Sequence, residues 1–302
     1  MFDRAETIAG LVTIVTPCLD GEVYLQETIR SILAQTYPAI EYLFIDGGSR
    51  DASVAIARSF GERVEVSIAA GASQTRATNV GFRASRGEYF LWLGADDLLA
   101  PDAVARLVIA LSMNAEAPFA YGRAEFVDYA GELIGEYPTR QFDRKLLAET
   151  CYISQPATLS RARDYAANGG VDERLHAAFD YDLWIRLSRN ATPAFVPIVL
   201  AQTRMHYQTK TYRSRLRNLR ETRALVLRHY GYVPFSWEHA FAGVLVTGGD
   251  MFFDPPRGSF ARTLLTLVIG LKDNFRSAGR YIAEFRSEIV RLRGIKRRRA
   301  AP

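Results

Sequence analysis

The sequence predicts an α/β fold: a mostly parallel central sheet with helices on both faces, followed by a C-terminal helical extension. Through about residue 115, short β-branched apolar runs alternate with segments of helical periodicity. Beyond about residue 212 the chain reads as helical and basic. Several of the expected strands also end in polar punctuation, "TPCLDG", "IDGGSRD" and "LGADD", and open parallel sheets gather their functional groups at such ends.

"LVTIVTP" (11–17) is apolar and β-branched, a buried strand. Leu25, Ile29, Ile32 and Leu33 then recur at helical spacing until Tyr37-Pro38 stops the helix. "EYLFIDGGS" (41–49) is a second strand that breaks at its glycines, and Ser49 or Asp51 can cap the helix "ASVAIARSF". "RVEVSI" (63–68) is a third strand. A loop and helix within 71–87 lead into the fourth, "EYFLWL" (88–93). Pro101 suits the first turn of the helix "DAVARLVIALSMN". After residue 118, "FAYGRAEFVDYAGELIGEYP" reads as two strands about an Ala-Gly turn, antiparallel additions to the sheet. "CYISQPATLSR" is strand and loop, and "FDYDLWIRL" is a helix starting near Asp180.

The 302 residues are 48% hydrophobic and 24% charged, enough for a large core in a soluble protein. Cys18 and Cys151 stand alone, without a CxxC or CxxH spacing, which argues against a disulfide scaffold or a thiolate zinc site. The net charge of +5 is concentrated in residues 204–231 and in the tail 291–302. Such clusters suit an anionic membrane face or a nucleic acid, and equally a solvated helix face. No apolar run approaches the ~20 residues of a membrane span, and no signal-peptide pattern opens the chain. The expectation is a soluble protein, or one held at a membrane surface.

Each acidic cluster has two readings when taken alone. Asp46 in "IDGGS" is either a turn-forming residue or a hydrogen-bond partner for a nucleotide base or ribose. Asp96 and Asp97 are either a helix-capping pair or a hard oxygen corner for Mg²⁺ or Mn²⁺. Asp180 either complements a helix dipole or serves the chemistry. Neither a GxGxxG nor a P-loop pattern is present, so a nucleotide has to be gripped by other means.

Taken in order, these segments resemble the family-2 glycosyltransferases of the GT-A fold. "TPCLDGEVYLQETIRSILAQTYPAIEYLFIDGGSRDAS" is similar to that family's opening, and "NVGFRASRGEYFLWLGADDLLAPDA" to its asparagine helix and acidic metal motif. "SQPATLSR", "GGVDERL" and "FDYDLWIRLSR" resemble the acceptor-side segments of a non-processive, cell-envelope branch. The resemblance covers about residues 11 to 211. It implies a GT-A catalytic domain over 1–211, with a donor half at about 11–115 and an acceptor half at about 116–211. Residues 212–302 form the basic extension.

The resemblance further implies roles for individual residues. Pro17 and Leu19 line the nucleotide pocket, Asp46 bonds the base, and Asn79 lies beside the donor, with Arg76 a candidate for the diphosphate. Asp96 contacts the ribose or the metal, Asp97 coordinates Mg²⁺ or Mn²⁺, and Asp180 is the general base. Gln155, Asp182 and His206 are candidate contacts to acceptor or diphosphate. Relatives often carry Asp at the positions of Gly47 and Gly94, which makes these two glycines departures from the pattern. The implied activity is inverting transfer of one hexose from a nucleotide-diphosphate sugar to a glycan or lipid-linked acceptor in cell-envelope or exopolysaccharide assembly. The implied setting is cytoplasmic, possible anionic membrane contact included, with no nucleic acid as partner. The alternatives are a sugar nucleotidyltransferase, or a nucleic-acid- or membrane-binding protein whose GT-A domain does not turn over.

Overall fold

The computed structural model of the chain describes residues 6–206, 209–247 and 259–299, the side chains of 211, 212 and 293–299 excepted. Part of the basic tail, and residues 207 and 208 of the first basic cluster, therefore lie outside the described residues. The chain divides into two compact units: residues 1–143 with 151–209, and residues 144–150 with 210–302.

The first unit opens with β1 (Ile8–Cys18), α1 (Glu22–Leu33), β2 (Ile40–Asp46), α2 (Ser53–Arg58), β3 (Glu65–Ile68), α3 (Gln74–Ala84) and β4 (Gly87–Trp92). All three strand pairings among these are parallel. In register, Cys18 lies beside Asp46 and Val15 beside Trp92, so β1, β2 and β4 deliver their following loops to one edge. Leu25, Ile29 and Ile32 form the buried stripe of α1, as their spacing predicts. The cap of α2 differs from expectation. Ala52 holds the cap position, while Asp51 accepts the N–H groups of Glu22 and Ser53 and so ties two loops together.

A two-residue strand, β5 (Leu98–Leu99), follows the acidic pair, and α4 (Ala103–Met113) begins just beyond Pro101. Then come β6 (Phe119–Val127), β7 (Leu133–Glu136), α5 (Arg144–Glu149, part of the second unit), β8 (Thr158–Arg161), α6 (Ala162–Ala167), α7 (Phe179–Leu187) and β9 (Ala194–Arg204). The sheet order is β3-β2-β1-β4-β8-β6-β9-β5, with β7 on β6. The parallel character is confined to β3-β2-β1-β4 and the β6–β9 pair. β8 runs antiparallel to β4 and β6, β7 to β6, and β5 to β9.

The second unit adds α8 (Lys210–Arg213), α9 (Arg215–Tyr230), α10 (Phe235–Thr247), α11 (Phe260–Asp273) and α12 (Ala278–Arg299) to α5. Leu219, Phe241 and Val244 form its core, with Ile269 against them. Inside it, Arg223 bonds both Glu238 (2.8 Å) and Asp273 (2.5 Å), and burial pushes the Glu238 carboxyl up to about 7. No described helix is long and apolar enough to cross a membrane.

Gly270 lets α12 approach α11, since a Cβ there would stand 1.9 Å from the Tyr281 ring. Gly270→Ala is therefore expected to destabilise the second unit by roughly 1–3 kcal/mol. Chymotryptic cleavage within residues 210–302 should then appear at lower temperature than in the wild type.

Candidate active site

The loops after β1, β2 and β4 build one corner from three strand ends. Asp46 closes β2, and its carboxylate accepts the N–H groups of Gly48 (2.8 Å) and Ser49 (2.9 Å) and the Ser49 hydroxyl (2.5 Å). This is the turn-forming role in full, and Asp46 is 1% exposed. Pro17 is buried in β1, while Leu19, just beyond the strand, is 60% exposed beside the same turn. Gly47 fits closely there: a Cβ would meet the carbonyl oxygens of Ala72 at 3.1 Å and Cys18 at 3.3 Å.

After β4, Leu93 still bonds the Val15 carbonyl, and the chain then turns at Gly94. The Asp97 N–H returns to the Gly94 carbonyl, which folds both carboxylates back over the glycine. A Cβ on Gly94 would lie 2.8 Å from Asp96 Oδ1 and 2.9 Å from Asp97 Oδ2. Here the two neighbouring carboxylates occupy the space that a side chain at 94 would need. A side chain at this position would have to displace the tips of both carboxylates.

Asp97 is 7% exposed, and burial together with the Asp96 charge raises its carboxyl well above the usual carboxylate range. Its Oδ1 accepts the Arg204 N–H at 3.2 Å, and its carbonyl accepts the Thr28 hydroxyl at 2.9 Å. Asp96 Oδ2 lies 3.1 Å from His206 Nε2, and the His206 ring packs on Tyr24 at 4.9 Å. Among the described residues no three His, Cys, Asp or Glu side chains form a ready-made metal cage. Two convergent hard oxygens, one on a buried carboxylate that a cation would stabilise, still fit Mg²⁺ or Mn²⁺, which take one or two carboxylates and complete their shell with phosphate and water.

Arg204 was not singled out in the sequence, yet it ties the corner together. Its guanidinium is 2% exposed and donates to the carbonyls of Asp96 (3.3 Å) and Tyr129 (3.2 Å) and to Glu27 (2.6 Å), lying 4.5 Å over the Tyr24 ring. A basic residue closing an apolar strand was the only sequence signal, and its partners come from distant segments.

The start of α7 reaches the same strand end from the other side. Trp92 stacks on Trp184 at 5.6 Å and meets Phe179 at 6.3 Å, docking α7 on the last residue of β4. Asp180, next to Phe179, accepts the Tyr181 N–H at 2.8 Å, and burial pushes its carboxyl up to about 6. Burial first, and the Asp180 charge after it, raise the Tyr137 phenol and the Cys151 thiol, so a phenol and a thiol are its neighbours. Gln155 donates its side-chain amide to the Trp92 carbonyl, just before the Gly94 turn.

Two of the expected contacts are engaged with neighbouring loops and helices. Asn79 is buried and bonds Val171, Glu173 and Tyr165, which anchors the loop ahead of α7. Asp182 is 1% exposed and pairs with Arg186 at 2.7 Å, and Arg186 in turn binds the carbonyls of Asn168 and Gly170. Polar side chains so fully engaged hold the loop that carries Asp180. Arg76 projects from the first turn of α3 and is exposed.

With this geometry, the profile of glycosyl transferase family 2 matches residues 13–132, from β1 through the acidic corner to the β6–β7 turn. Residues 13–132 belong to that family. The chain is 31% identical over 219 residues to an uncharacterized glycosyltransferase of Rickettsia bellii, covering 68% of this chain and 31% of the relative. It is 32% identical over 184 residues to the O-antigen biosynthesis protein RfbC of Myxococcus xanthus, covering 59% and 14%. It thus spans under a third of the length of these two relatives. Among solved structures, it resembles Staphylococcus aureus TarS 1–349 in complex with UDP-GlcNAc (TM-score 0.61, 13% identity, 89% of this chain and 81% of that one). It also resembles the mannosyltransferase PcManGT of Pyrobaculum calidifontis in complex with GDP-Man and Mn²⁺ (TM-score 0.57, 15% identity, 92% and 90%). The chain has the GT-A fold.

Proposed function

We propose that the protein is an inverting, metal-assisted hexosyltransferase that moves one sugar from a nucleotide-diphosphate donor to a hydroxyl of a glycan or lipid-linked acceptor in cell-envelope polysaccharide assembly. One observation carries the reading: β4 leads through the Gly94 turn to Asp96 and Asp97, and its last residue, Trp92, receives α7 with Asp180 in its first turn. The relative named for O-antigen biosynthesis supports the polysaccharide setting. The neighbours bound to UDP-GlcNAc, and to GDP-Man with Mn²⁺, support a nucleotide-sugar donor and a divalent ion.

In this reading the acceptor oxygen attacks the anomeric carbon while the bond from that carbon to the diphosphate oxygen breaks. The hydroxyl proton passes to the Asp180 carboxylate, whose raised pKa brings it closer to the operating pH of a general base. Mg²⁺ or Mn²⁺, when bound, would neutralise the departing nucleoside diphosphate. Asp96 and Asp97 would hold it, and His206 would steady Asp96 from the side opposite Gly94. Leu19 and the 46–49 turn would flank the base, leaving the exposed Arg76 for phosphate oxygens. The protein would work in the cytoplasm, resting on the inner face of the cytoplasmic membrane.

A thermal-shift panel of nucleotide sugars, with and without Mn²⁺, tests the donor claim. A donor at a hundredfold excess over its Kd adds about 2.7 kcal/mol of stability, so one base-and-sugar class should raise the Tm by several degrees, and more so with Mn²⁺. A flat panel overturns the reading.

A further inference from the structure

Helix α11 is turned inside out. Its buried positions are Arg262, Thr266 and Gly270, followed by Asn274, a polar or small residue every fourth place. These groups are satisfied within the second unit. Arg262 donates to the His239 carbonyl at 3.1 Å, Thr266 meets the His239 ring at 3.1 Å, Tyr281 donates to the Thr266 carbonyl at 3.0 Å, and Asn274 bonds both backbone groups of Val233. The outer face carries the large apolar side chains. Phe260 is 83% exposed, Leu264 50% and Val268 55%, and Phe275, just past the helix, 69%. Leu267 and Leu271 lie half-buried on the same face. A helix in contact with water on that side would place these residues the other way round.

We infer that this outer face of α11 docks in an anionic lipid surface, lying in the plane of the interface. The inference rests on the reading of the protein as peripheral at a membrane and names the element that enters it. Charge complementarity selects the occupant. Residues 210–302 hold 19 of the 38 basic residues of the chain but 7 of its 33 acidic ones. Lys272, Arg276 and Arg280, all exposed, follow the stripe at its C-terminal end, where they can reach headgroups while the apolar side chains sit deeper. Fourteen residues of helix rise about 21 Å, long enough to lie on a bilayer and too short to span one. A second copy is the competing occupant of the face, and the oligomeric state tests it.

The test uses the full chain with vesicles of phosphatidylglycerol in phosphatidylethanolamine, and of phosphatidylcholine alone. At physiological salt the wild type should sediment with the anionic vesicles and not with the neutral ones. The exposed pair Leu264→Gln/Val268→Gln should bind at least about tenfold more weakly, with an unchanged Tm. Phe260→Trp should show blue-shifted emission that brominated lipid quenches. If the wild type ignores anionic vesicles, the peripheral reading falls and this inference with it. If binding persists undiminished in the double variant and the Phe260→Trp emission does not move, α11 is excluded while a purely electrostatic membrane contact stands. A wild-type dimer in light scattering that the double variant breaks would assign the face to a second copy and overturn the lipid assignment.

Discussion

Asp180→Asn is expected to lower turnover by about 10³-fold while leaving nucleotide-sugar binding, read by thermal shift, unchanged. The substitution keeps the shape of the side chain and its bond with the Tyr181 N–H, and removes only the ability to accept a proton. The pH dependence makes the test specific. Burial pushes this carboxyl up to about 6, so the active, ionised form is lost as pH falls through 6. Below that value the wild-type rate should drop about tenfold per pH unit, and the residual rate of the variant should lack that step. Stability moves in the opposite direction. A carboxyl whose folded pKa lies above its unfolded one favours the native state most fully below the unfolded value, and loses that contribution as pH rises through the folded value. At pH 8 the ionised Asp180 costs the wild type on the order of 2–3 kcal/mol. Asp180→Asn should therefore unfold at higher temperature than the wild type at pH 8, and the gap should close towards pH 4. An undiminished rate in the variant would remove Asp180 as the base.

The legible parts of the chain were those in which one local pattern decides the outcome. α1 follows from Leu25, Ile29 and Ile32, and β4 from an unbroken apolar run, because periodicity and burial coincide there. β9 was harder to see. Its sequence carries Pro197 and does not alternate, and the β6–β9 ladder skips around that proline, pairing Gly122 with Val196 and then Arg123 with Val199. A strand with a register shift gives no clean period. The acidic corner was legible in type and order, since Asp96 and Asp97 follow a buried strand. What each polar residue touches was not. Asp46, Asn79 and Asp182 have the chemistry of ligand contacts, and in the fold they hold turns and loops. The partners of Asn79 lie some ninety residues away in the chain, so no local signal could separate the two roles.

Arg204→Met is expected to cost roughly 2–5 kcal/mol of stability in the first unit and to weaken Mn²⁺ binding about tenfold or more. The stability loss does not come from the ion pair with Glu27, because Glu27 is 58% exposed and such pairs contribute little. It comes from the carbonyls of Asp96 and Tyr129, which accept from the buried guanidinium and would be left without that donor. The loss of packing over Tyr24 adds to it, and Tyr24 supports His206 in turn. The metal effect has a separate origin. Arg204 is the positive charge that opposes burial at Asp97, and its Nε fixes the backbone at Asp96. Without it both carboxylates lose their orientation over Gly94. Arg204→Lys restores the charge but cannot reach three acceptors at once, so it should recover part of the Mn²⁺ affinity and less of the stability. Calorimetric titration with Mn²⁺ alone, beside thermal unfolding of the three proteins, separates the two effects. A variant that is destabilised yet binds Mn²⁺ as the wild type does would confine Arg204 to a structural role. Equal stability and equal binding in all three would show that the acidic corner is set by the β4 turn by itself.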